Sequence, residues 1–129
     1  MNFEWDIQGK TKDGHTVVYK DFAKLESVCR SKNTAKEAAT RDARITDALS
    51  LVHGTIVVRA DLAGVTLRPS LYTYIQKCIS LQTQRPVHTH VVNAPPWIAK
   101  AYRIVNKWLS AEDRAATTVH MEDYDPTQS

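Results

Sequence analysis

Two stretches, GTIVVRADLAG at 54–64 and RPVHTHVVNAP at 85–95, decide how this chain folds. Each is a short β-branched run that halts on small or polar residues: Asp61 and Gly64 in the first, Asn93 and Pro95 in the second. β-Branched side chains are stiff at χ1 and favour strands, whereas Gly, Asn and Pro punctuate them. After each halt the sequence takes up a helical repeat. Strand, polar stop and helix, twice in succession, make the βα units of a sheet joined by crossover helices. Neither stop carries a nucleophile, a base or a phosphate-cradling loop, so the pattern points to binding and not to an enzyme.

Upstream, the segments 4–9 and 15–20 flank a turn that ends in Asp13 and Gly14, a hairpin at a sheet edge. Residues 22–31 are mixed and read as a turn with some helical character. A helix opens at Asn33 or Thr34, with Glu37 at the capping-box spacing from Thr34. Ala38, Ile45, Leu49 and Val52 form its inward side, Lys36, Arg41, Arg44 and Asp47 its wet side, and Gly54 its stop. Ile56–Ala60 holds only Arg59 as a polar residue, the mark of a strand covered on both faces.

Downstream, 67–84 reads as a turn and then a helix with Leu71, Ile75, Cys78 and Ile79 or Leu81 inward. Val87–Val92 is a second covered strand, Pro95 and Pro96 start a helix reaching Leu109, Ser110 and Asp113 open a short helix, and Thr117–Met121 is a last strand. The expected fold is α/β: a five-stranded, mostly parallel mixed sheet with helices on both faces. Residues 1–121 form one domain, and the acidic end at 122–129 is expected to be a frayed tail.

Composition narrows the function. A chain of 129 residues buries one core and not two. A net charge of +3 falls short of the basic excess of a nucleic-acid binder. No stretch approaches the ~18 apolar residues of a membrane span, and the first ten residues lack the apolar core of a secretory signal. Cys29 and Cys78 are far apart with no CxxC, which reads as two buried thiols in a cytoplasmic protein.

The candidate site lies around the helix after Pro96. Trp97, Ala101, Ile104, Val105 and Trp108 recur at helical spacing as one apolar stripe, with Lys100, Arg103 and Lys107 mainly on the other side. A cationic helix carrying tryptophans suits transient contact with an anionic membrane, with Arg85, Lys100, Arg103 and Lys107 as the expected membrane-contact residues. Ile56, Val58 and Ala60 alternate on one strand face and form the floor of an expected ligand pocket. Trp97, Ala101, Ile104 and Trp108 roof it, while Ala38, Ile45 and Ile75 close its sides. The same side chains could instead fill a solid core, leaving an interaction or dimerisation module whose apolar faces a second copy covers. His88 and His90 share a strand face, with His120 on a later segment, yet spacing fixes no third ligand, so no metal is expected. Asp61 and Asn93 read as residues that tie the turns leaving the strands. No cofactor is expected.

Taken in order, DGHTVV (13–18), IVVRADLAGVTL (56–67), VHTHVVNAPPWIAKAYRIVNKWLS (87–110) and TTVH (117–120) resemble the CRAL-TRIO lipid-binding family over about residues 12–121. The Asp-x-x-Gly at 61–64 and the Asn-x-Pro at 93–95 fall at the strand ends where that family has them. Lys107, Trp108 and Leu109 stand where it usually has Lys-Pro-Phe-Leu. The resemblance implies binding, and transfer between membranes, of a small hydrophobic ligand: a lipid, phospholipid or tocopherol- or retinoid-like molecule. It also implies that the helix after Pro96 is the lid. The chain departs from the family in lacking its preceding helical domain and its following helices, and the 64–93 segment is several residues short. Among the positions of basic residues that bind phosphoinositide in some members, Arg85 matches, whereas Val87, Glu112 and Ala116 do not.

Overall fold

The computed structural model describes residues 5–128; the expected strand start at Glu4 and the last tail residue, Ser129, lie outside them. Gly14, at φ 87°, makes the turn that Asp13 and Gly14 announced, and it joins β1 (Trp5–Lys10) to β2 (Thr16–Asp21) as an antiparallel hairpin. Three further strands follow in sequence order, β3 (Ile56–Asp61), β4 (His88–Val92) and β5 (Thr117–Val119), each parallel to the one before. The five-stranded, mostly parallel mixed α/β sheet is therefore the one expected.

Its helical cover differs from expectation. Strands added in one direction through right-handed crossovers put every crossover helix on the same face. On that face lie α1 (Phe22–Val28), α2 (Lys32–His53), α3 (Pro69–Leu81), α4 (Ile98–Val105) and α5 (Ala111–Ala115). Phe22 bridges two buried clusters: Leu25, Ala35, Ala39, Leu71 and Tyr74 between the helices, and Val18, Ile56, Val58 and Ala60 on the sheet. The opposite face carries the end of the chain. Asp123 pairs with Arg59 at 2.7 Å, Tyr124 lies against His90, Pro126 is buried, and the Thr127 methyl group approaches Gly9. Residues 122–128 are thus a packed strap and not a frayed tail. Their acidic charge meets Arg59, a cation in the middle strand that also accepts no burial without a partner.

α2 begins one or two residues earlier than expected, because Ser31 and Thr34 form a reciprocal capping box and Glu37 takes no part. Its buried side is a run of small residues, Ala35, Ala38, Ala39, Asp42, Ala43 and Thr46, while Val52 is 77% exposed. Small side chains let α3 approach closely. The buried Asp42 accepts hydrogen bonds from the Tyr74 hydroxyl (2.6 Å) and from Arg41 Nε (2.9 Å), so a carboxylate ties the two helices together. Asp47, expected on the wet side, accepts from the backbone N–H groups of Thr83 and Gln84 and secures the turn after α3.

Candidate ligand cavity

Alternation sorts the sheet into two chemically different faces. Val18, Lys20, Ile56, Val58, Ala60, Thr89, Val91 and Thr117 share the helical side through the strand register. Between them and the helices is a cavity of about 230 Å³. Its walls come from Leu71, Tyr74 and Ile75 on α3 and from Ile98, Ala101 and Val105 on α4, with Leu62, Val65 and Leu67 contributed by the loop after β3. The lining is mostly apolar, the usual makeup of a small-molecule site.

Of the residues expected from sequence, Ile56, Val58, Ala60, Ile75, Trp97 and Ala101 stand on this cavity. Ala38, Ile45, Ile104 and Trp108 do not. Ala38 is buried between helices, and Ile45, half-buried, lies about two turns further along α2. Ile104 points outward at 39% exposure. α4 ends at Val105 and tightens into a 3-10 turn, Asn106–Trp108, which breaks the phase of the helical stripe. Trp108 is carried onto α3 and meets Tyr72 edge-on, with ring centroids 6.4 Å apart. Lys100, Arg103 and Lys107 are exposed on the outer side of the same segment. Arg85 differs from them: it lines the cavity, donates to the Ile79 carbonyl at 2.9 Å, and lies 3.9 Å from Asp113.

Sequence reasoning missed three features of the site, two residues that line it and one that holds its wall. Lys20 has its ammonium 5.4 and 5.7 Å from the ring centroids of Tyr74 and Phe22, and only its place in the alternation Thr16, Val18, Lys20 could have signalled it. Tyr74, buried on α3, sits beneath it. The third is Glu26, 4% exposed, which accepts from Thr66 N (2.9 Å), Thr66 Oγ1 (2.8 Å) and Arg68 N (2.8 Å). Burial pushes the Glu26 carboxyl up, but the donors from Thr66, Arg68 and Leu67 outweigh it and hold the pKa below the usual range. Glu26 thereby fixes the wall loop in which Leu67 takes a φ of 65°. Cys78 also lines the cavity, where burial pushes its thiol up, so it is a poor nucleophile.

The strand ends act as expected of turn ties. Asp61 accepts from the Tyr19 hydroxyl (2.5 Å), from Asn93 Nδ2 (3.0 Å) and from the Ala63 N–H (2.9 Å). Burial raises its pKa, yet Tyr19 and Asn93 together hold it below the ordinary value. Asn93, at φ 53°, turns the chain from β4 toward α4.

The histidines stand on the other face. His90 Nδ1 and His120 Nε2 are 3.0 Å apart, His88 Nε2 is 2.7 Å from Thr118 Oγ1, and His120 stacks on Tyr124. Among the described residues no group of three His, Cys, Asp or Glu is disposed to hold a metal ion. Burial first, and then the charges of His88 and His120, lower the His90 pKa to about 4. A base with a depressed folded pKa is neutral when folded and binds a proton on unfolding, so stability is complete above the ordinary value near 6.5 and falls as pH drops toward 4. The ring is partly exposed, so screening trims the effect to roughly 1 kcal/mol, about 4 °C in Tm. Melting curves at pH 7.5 and 5.0 check this: wild type should lose more than His90→Gln, and equal losses would contradict it.

The fold has a counterpart among solved structures. The crystal structure of Sfh5 superposes with a TM-score of 0.72 at 12% identity over 92% of this chain, a likeness that shows the fold alone. The chain spans about half, 49%, of that structure's length. No protein-family model and no curated protein matches the sequence. Among the described residues no helix is long and apolar enough to cross a membrane.

Proposed function

We propose that the chain is a non-enzymatic carrier that binds a small hydrophobic ligand between the sheet and α3 and α4, and exchanges it at an anionic membrane in the cytoplasm. The observation that carries this reading is the apolar cavity of about 230 Å³ over Ile56, Val58 and Ala60. The motif resemblance and the shared fold support it. Ligand burial supplies affinity at about 25 cal/mol per Å² of apolar surface, less the cost of association. Cys29 and Cys78 are both buried thiols, in keeping with a reducing compartment.

α4 is the docking element in this reading, but its geometry shifts the roles assigned by sequence. Trp97 packs against the helical core, so its ring is not the membrane anchor. Ile104 is exposed among Lys100, Arg103 and Lys107 and takes that part. Each basic residue near an anionic surface is worth on the order of 1 kcal/mol, so three give transient docking without permanent attachment. Charge reversal at Lys100 and Arg103 together should weaken sedimentation with phosphatidylserine vesicles at least tenfold at low salt, since about 2 kcal/mol is lost. Ile104→Ser should weaken it more modestly and independently of salt. Sedimentation of both variants like wild type would remove docking from the account.

The second reading, an interaction module, is favoured by one observation. Leu51 and Val52 at the end of α2 are 80% and 77% exposed, away from the cavity. A homodimer through this end would appear in sedimentation equilibrium.

A further inference from the structure

The cavity contains one charge that the fold leaves unanswered. Lys20 projects from β2 into an apolar lining, its ammonium over the faces of Tyr74 and Phe22. Register sets Ala60 beside it, and that small side chain leaves open space next to the cation. Each buried or half-buried carboxylate of the neighbourhood is already committed. Asp42 serves Tyr74 and Arg41, Glu26 serves Thr66 and Arg68, and Asp61 serves Tyr19, Asn93 and Ala63. Asp21 caps α1 through the Lys24 N–H. Arg85, the other cation on the lining, has the Ile79 carbonyl and Asp113. Lys20 forms no ion pair among the described residues. A lysine ammonium has three donors; the aromatic faces attract its charge without accepting these as an oxygen would.

Volume adds a second restriction. Pockets for drug-sized ligands run from roughly 300 to 1,000 Å³, and this one, at about 230 Å³, falls below that range. One aliphatic chain suits such a space better than two. Lys20 lies near the carboxyl ends of the parallel strands, where open α/β sheets bind ligands. We propose that the cavity takes a single-chain amphiphile with an anionic head group, a carboxylate or a phosphate monoester, whose charge is met by Lys20. This rests on the reading of the cavity as a hydrophobic-ligand site.

The test uses the full chain, with the neutral dye Nile red as reporter and palmitate, hexadecyl phosphate, hexadecanol and dipalmitoyl phosphatidate as competitors at pH 7.5. Wild type should bind the dye. At least one of the two single-chain anions should displace it at about tenfold lower concentration than hexadecanol, the scale of one charge-assisted contact. Which of the two is stronger identifies the head group. Lys20→Met should lose the preference, read as the ratio of displacing concentrations, to within about twofold, whereas Lys20→Arg should retain it. Equal displacement by hexadecanol, or a preference that survives Lys20→Met, would overturn the role of Lys20 while leaving the cavity reading intact. Displacement by dipalmitoyl phosphatidate as strong as by hexadecyl phosphate would overturn the single-chain restriction. No dye uptake by wild type would overturn the cavity reading and this inference together.

Discussion

Replacing Ala60 with tryptophan is expected to abolish ligand uptake while the fold survives. Ala60 is 4% exposed and sits on the cavity floor, in register between Lys20 and Val91. An indole there has open volume to enter, so the usual overpacking cost of about 1–3 kcal/mol is reduced. Its effect falls on the ligand. Excluding about 110 Å² of apolar ligand contact at 25 cal/mol per Å² removes about 2.7 kcal/mol, on the order of a hundredfold in Kd. Dye-binding titration reads the loss, and a melting curve shows whether the domain is intact. A variant that binds like wild type would show that ligand does not occupy the floor; a variant that melts far below wild type would show the space to be filled core.

The largest stability effect is expected at Glu26, a residue that touches no ligand in this account. Glu26→Ala strands the backbone N–H groups of Thr66 and Arg68 and the Thr66 hydroxyl, which the buried carboxylate accepts from a loop whose residues at 63, 64, 66 and 68 are exposed. Hydrogen bonds to a charged group contribute roughly 1.5–3 kcal/mol each, and they are not additive, so the variant should lose about 3–4 kcal/mol. With a urea dependence of about 1–3 kcal/mol per molar, the unfolding midpoint should fall by more than 1 M. Glu26→Gln should lose roughly half as much, because its carbonyl still accepts on one side while its amide faces a donor on the other. The pH dependence follows in sign: Glu26 has a lowered folded pKa, so its contribution is present above the ordinary carboxylate value and is lost on acidification through the folded one. Glu26→Ala should lose less stability between neutral and acid pH than wild type. A midpoint within 0.3 M of wild type would contradict this role, taken as roughly the scatter of such extrapolations.

What the sequence disclosed follows from the range of the interactions involved. The hairpin, the parallel strands and the stops at Asp61 and Asn93 were legible because turn chemistry and β-branched runs are local. The floor at Ile56, Val58 and Ala60 followed from alternation along one strand. The one-sided helical layer was not legible, because it depends on strand order, which no local pattern specifies. The face of α2 was read only in part for a related reason. Ala38 and Leu49 pack inward and Val52 does not; close approach to α3 selects the alanines, and Asp42 becomes a core residue only because Tyr74 reaches it from another helix. Glu26 and Lys20 escaped notice likewise: Thr66, which donates to Glu26, and Tyr74, the ring nearer to Lys20, lie 40 or more positions away. The phase break at Asn106, which moved Trp108 off the cavity, is a shift from α to 3-10 geometry that the apolar spacing of 97–108 does not encode, whereas Ile104 precedes it and stands on the outer side of α4.

The central claim is that an apolar ligand enters between the sheet's helical face and α4. Methyl NMR titrated with hexadecanol tests it most directly, because the two faces of one strand carry their own reporters. Saturable shifts are expected at the methyl groups of Val58, Ala60, Leu71 and Ala101, which line the cavity, with Val17 and Val57 on the opposite face unmoved. Shifts confined to Val17 and Val57, or no saturable shift at any of them, would contradict it.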